Sequence, residues 1–84
     1  MIVYNLMNNQ TVVKERGVTK FYSYGSLVAK EHRDGSISIS KKYWAYSKTT
    51  LKWLKVFLGL EDYSKKELKE CLNKSKYKFV GDLK

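Results

Sequence analysis

The chain has 84 residues with 43% apolar and 30% charged side chains, which fits one small globular domain and excludes a disordered polymer. Seventeen basic residues against eight acidic ones give a net charge of +9, which excludes mimicry of an acidic nucleic-acid backbone and favours anionic partners. A single cysteine, Cys71, excludes an internal disulfide and fits a reducing cytoplasm.

The start, Met1 to Leu6, has no positively charged leader, so a signal peptide is not expected, and no apolar run approaches the ~20 residues that span a bilayer. That apolar start reads as an edge strand or a fraying end. Thr11-Val12-Val13-Lys14 is β-branched and reads as a short strand, Glu15-Arg16-Gly17 as a turn, and Thr19 to Tyr24 as a second strand on which Tyr22 and Tyr24 share a face. Gly25 marks a bulge or turn.

The most legible hairpin runs from Ser26 to Ser40. Ile37 and Ile39 alternate with serines, and Arg33-Asp34-Gly35 links the arms. A two-residue Asp-Gly turn would set Ile39 opposite Lys30. A three-residue loop with Gly35 left-handed sets Ile37 opposite Glu31 and Ile39 opposite Ala29, with Leu27 on the same face. The second register is preferred, because a one-residue slip moves the whole apolar set to the other side.

Two helices follow. Ser47 or Thr49 caps the first, Leu51, Leu54 and Leu58 form its inner stripe, and Gly59 ends it. Ser64-Lys65-Lys66-Glu67 is a capping box for the second, with Tyr63 and Leu68 as a hydrophobic staple and an end between Asn73 and Ser75. Tyr77, Phe79 and Val80 read as a short terminal strand or clamp before Gly81 to Lys84 frays. The expected class is α+β: an antiparallel sheet of three to four strands over residues 1–40, two helices on one face over 47–74, and a tail over 75–84.

No enzyme is expected. His32 has no partner at metal-ligand spacing, Glu61-Asp62 offers too few oxygens for a hard cation, and the scattered glycines make no phosphate loop, so neither metal nor cofactor is predicted. With only Arg16 and Arg33, an arginine-assisted tyrosine nucleophile is poorly supplied. The informative segment is Gly35 to Leu60, which carries five lysines and no acid, interleaved with aromatics. Lysines neutralise phosphate and aromatic faces stack on bases. The residues expected to meet a nucleic acid or a partner are Lys41, Lys42, Tyr43, Tyr46, Lys48, Lys52 and Lys55.

The run Tyr43-Trp44-Ala45-Tyr46-Ser47-Lys48-Thr49-Thr50-Leu51-Lys52, followed by Phe57-Leu58-Gly59 and preceded by Phe21-Tyr22-Ser23-Tyr24, resembles small proteins of bacteriophages and other mobile elements of low-GC Gram-positive bacteria. The likeness covers about residues 19–60. It implies an accessory protein in a bacterial cytoplasm. Such a protein would bind nucleic acid or a nucleoprotein, or else inhibit a host protein such as a CRISPR nuclease or a replication factor.

Overall fold

A computed structural model describes residues 1–74, 76–81 and 83. Six strands form one sheet in chain order: β1 (Ile2–Met7), β2 (Gln10–Glu15), β3 (Val18–Ser23), β4 (Ser26–Glu31), β5 (Ile37–Ser40) and β6 (Tyr77–Val80). The first five are an antiparallel meander; β6 returns beside β5 in parallel, after α1 (Lys48–Leu58) and α2 (Lys65–Cys71). A parallel neighbour needs such a crossover, because a tight turn cannot reverse the chain twice.

The class is α+β, but the expected sheet of three to four strands is corrected to six. Of the alternatives read for each end, the apolar start takes the edge strand, paired with β2 with an irregularity between Asn5 and Met7, and the terminal segment takes the strand and not the clamp. The expected ends at Ser75, Asp82 and Lys84 lie outside the described residues.

Turn chemistry sets the meander. Between β2 and β3, Arg16 and Gly17 have φ of 52° and 81°; between β3 and β4, Tyr24 and Gly25 have φ of 51° and 80°. Two consecutive left-handed residues make the two-residue turn whose twist matches a hairpin. The β4–β5 connection follows the three-residue reading, with Gly35 at φ 89°, Glu31 opposite Ile37 and Ala29 opposite Ile39. Leu27 departs from it. A bulge opposite Phe21 and Tyr22 inserts Val28, which is buried, and Leu27 pairs with Tyr22 instead of joining the isoleucine face.

Registers align Tyr4, Val12, Phe21, Ala29, Ile39 and Phe79 in one row across all six strands. The helices cover that face: Leu54 of α1 and Leu68 and Leu72 from the α2 segment are fully buried with Val12, Phe21 and Ile39. Phe57 of α1 stacks on Phe21 with ring centres 5.4 Å apart. Ser47 caps α1, Gly59 ends it at φ 74°, and Ser64 caps α2 by accepting from the Glu67 amide. The adjacent row, Val3, Val13, Lys20, Lys30, Ser38 and Lys78, faces the other way, as the two-residue period of a strand requires.

One buried group has no protein match. The Gln10 side chain is fully buried, and neither its amide nitrogen nor its oxygen meets a partner among the described residues. An unpaired buried amide costs about 1–3 kcal/mol, so Gln10→Met is expected to stabilise the fold by about 1 kcal/mol in urea unfolding. A loss of stability of that size would mean that the amide is hydrogen-bonded in solution.

Candidate aromatic and lysine surface

The segment between β5 and α1 is a tied hinge. Ser40 is buried; its hydroxyl accepts from the Tyr43 amide at 3.2 Å and its carbonyl from the Trp44 amide at 3.0 Å. The Lys41 amide donates to the Val80 carbonyl at 3.0 Å, and Trp44 meets Phe79 edge-on at 5.5 Å. Both contacts reach the terminal strand, so β6 anchors the hinge. The Tyr46 amide closes a further turn onto the Tyr43 carbonyl at 3.2 Å.

The hinge runs into a chain of hydroxyls. Ser47 accepts from the Thr50 amide, and its own hydroxyl donates to the Thr50 hydroxyl at 3.1 Å. Thr50 in turn shares a hydrogen bond of 2.9 Å with Ser23 of β3, and both residues are buried. This sequence-distant pair fixes the start of α1 over the sheet. The sequence reading missed it, because Thr50 looks like one more polar residue in a helix's first turn.

A cleft of about 300 Å³ opens where hinge, helix start and β3–β4 turn meet; Ser23, Tyr24, Ser26, Val28, Tyr43, Tyr46 and Thr50 line it. Tyr43 and Tyr46 meet edge-on at 5.8 Å. Tyr46 is 71% exposed and Tyr24 59%. Tyr24 owes its place to the left-handed turn, which lifts it out of β3. The expectation that it shares a strand face with Tyr22 is therefore corrected: Tyr22 belongs to the opposite side of the sheet, and Tyr24 joins Tyr43 and Tyr46.

Lys41, Lys42, Lys48 and Lys52 are exposed. Lys42 lies 5.3 Å from the Tyr43 ring centre and Lys52 lies 5.2 Å from that of Trp53, each cation against an aromatic face. Trp53 is only half-buried. Lys55 is held differently: its ammonium donates to the Tyr63 carbonyl at 2.9 Å, beyond the end of α1. That placement opposes the negative end of the helix and stabilises the link to α2.

The other expected residues have local roles. His32 Nε2 and the Ser38 hydroxyl are 2.7 Å apart, and Cys71 is a half-buried free thiol. No group of three or more histidine, cysteine or acidic side chains suited to a metal occurs among the described residues. Among the described residues, no helix is long and apolar enough to cross a membrane.

The family model described as a family of unknown function (DUF8033) matches residues 3–74, and the chain belongs to that family. No curated protein and no solved structure matches it.

Two consequences are measurable. Thr50→Val removes one partner of a buried hydroxyl pair and leaves Ser23 unmatched, so a loss of about 1–3 kcal/mol is expected in chemical denaturation, against much less for exposed Thr49→Val. In the β4–β5 loop, the Asp34 carboxylate accepts from the Ser36 hydroxyl at 2.6 Å and from its amide at 2.9 Å. Those bonds hold its pKa below the ordinary value, the hydroxyl most. Its contribution to folding is present above the unfolded-state pKa and fades as pH falls through the lowered one. A carboxyl-carbon NMR titration is expected to place Asp34 below the ordinary aspartate value, and Ser36→Ala to move it back up.

Proposed function

We propose that this DUF8033 member is a non-enzymatic module that binds nucleic acid, or a nucleoprotein, through the lysine and tyrosine surface around its hinge. The observation that carries the reading is the cleft shared by Tyr24, Tyr43 and Tyr46, beside the segment that holds Lys41, Lys42 and Lys48. Aromatic walls accept the face of any unpaired base, and ammonium groups neutralise the phosphates on either side. Lys52 extends the cationic stripe along α1, whereas Lys55, turned to the Tyr63 carbonyl, contributes less. Of the hydroxyls lining the cleft, Ser23 and Thr50 are buried and paired with each other, and the half-buried Ser26 offers a donor and acceptor for a base edge. The setting that suits such a module is the bacterial cytoplasm, as an accessory protein of a phage or mobile element.

The exposure of Tyr46 and Tyr24 also favours a second reading, an inhibitor that docks on a host nucleic-acid-handling protein, since tyrosine is a common interface anchor. Capture from host lysate with and without nuclease separates the two. Loss of all bound material after nuclease supports nucleic-acid binding; a protein that stays bound supports inhibition.

For direct binding, fluorescence anisotropy with a single-stranded oligonucleotide is expected to show affinity falling with salt at a slope of about −0.7 per phosphate neutralised, hence about −3 for four lysines. Lys52→Ala should make the slope shallower by about 0.7, while Lys55→Ala should leave it nearly unchanged. An isotherm flat in salt would overturn the proposal.

A further inference from the structure

The chain has fifteen lysines and only two arginines, seventeen positions apart, yet the fold brings both arginines together. Arg16 stands in the β2–β3 turn and Arg33 in the β4–β5 loop. The Arg33 Nε donates to the Arg16 carbonyl. Its stem lies across Gly17 so closely that a Cβ there would stand 3.0 Å from the Arg33 Cγ. Gly17 therefore serves twice, for its φ of 81° and for the space the arginine occupies. The result is a guanidinium fixed by its stem and by one nitrogen, with its two terminal nitrogens still available as donors.

Arg16 itself holds φ 52°, a left-handed position that asparagine or glycine would fill at lower cost.

Both arginines border a hollow of about 700 Å³ on the sheet face away from the helices. Its floor includes Lys20 and Tyr22 of β3, with Val13 and Val18 as apolar wall. Glu15 is the acidic residue among those lining it. Arginine is permanently charged and presents a planar fork that matches phosphate oxygens. A bare inorganic anion would use the cations but gain nothing from the valines and tyrosine, and would be repelled by Glu15. A ligand that joins a phosphate to a flat, partly apolar body with hydroxyl or amino donors satisfies every wall. The volume also lies within the range of small-ligand sites.

We infer that this hollow is a binding site for a phosphorylated nucleoside, with the phosphate on Arg33, Arg16 and Lys20, the base against Tyr22 and the valines, and a sugar hydroxyl or base amino group donating to Glu15. The same chemistry is offered by a free nucleotide and by the 5′-phosphorylated end of a strand. The site lies on the opposite sheet face from the tyrosine cleft, so it stands or falls independently of the hinge.

The test is an NMR titration of the whole chain with adenosine monophosphate, with inorganic phosphate, and with a short oligonucleotide bearing or lacking a 5′ phosphate. Saturable shifts of the Arg33 Nε–Hε and Gly17 amide signals with the monophosphate, stronger than with inorganic phosphate, support the site. The same shifts only with the 5′-phosphorylated strand support it and identify a strand end as the source. Arg33→Lys keeps the charge but not the fork, and is expected to weaken binding about tenfold with the remaining amide spectrum unchanged. Lys48→Glu with Lys52→Glu should leave it untouched. Equal responses to inorganic phosphate and the monophosphate, no saturable response at these signals, or unaltered binding by Arg33→Lys would overturn the inference.

Discussion

Everything in this molecule depends on one row of side chains. Tyr4, Val12, Phe21, Ala29, Ile39 and Phe79 stand side by side across six strands, and the helices lie on that row. Side chains on a strand alternate, so fixing this row inward fixes its neighbour outward. Lys20, Lys30 and Lys78 face away from the core for that reason, and not because each position selects a cation by itself. The apolar row is thus the origin of both surfaces: the side the helices cover, and the open basic side that they leave.

The two surfaces use cations differently. Around the hinge the positive charge is lysine, exposed, and interleaved with aromatic rings. On the open face it includes two arginines, one of them pinned by a backbone carbonyl and by packing over a glycine. A lysine loses much side-chain freedom when it is ordered against a partner, and a pre-placed guanidinium loses less. The hinge suits loose, salt-sensitive contact along a chain; the open face suits a defined group in a defined place.

Much of the fold was legible in the sequence. The Ile-Ser alternation with Asp34-Gly35 carried the hairpin register, because only one register keeps the isoleucines together and inside. Ser47, Gly59 and Ser64 were readable as helix ends, because capping chemistry is local. The sixth strand was half legible: Tyr77 to Val80 reads as a strand or a clamp, but nothing local assigns it a parallel partner forty positions away. Val28 was not legible: a bulge leaves no local mark when both of its residues are apolar. The tyrosine cleft was half legible. Tyr43 and Tyr46 are close in sequence, but Tyr24 reaches them only because its backbone is left-handed, a state that sequence patterns do not assign to tyrosine. The meeting of Arg16 with Arg33 was hidden for the same reason as Thr50 with Ser23: each joins turns or elements that the chain itself keeps apart.

The parallel pairing of β6 has a consequence for the order in which the molecule is made. Strands β1 to β5 pair with their sequence neighbours, so their contacts are local and can form while the chain is being synthesised. β6 must wait for both helices, and closing that long loop is the slow, non-local event. The hinge is tied to Val80 and Phe79. The arginine turns thus depend only on strands that are paired with their sequence neighbours, whereas the tyrosine and lysine surface depends on the docking of the last strand.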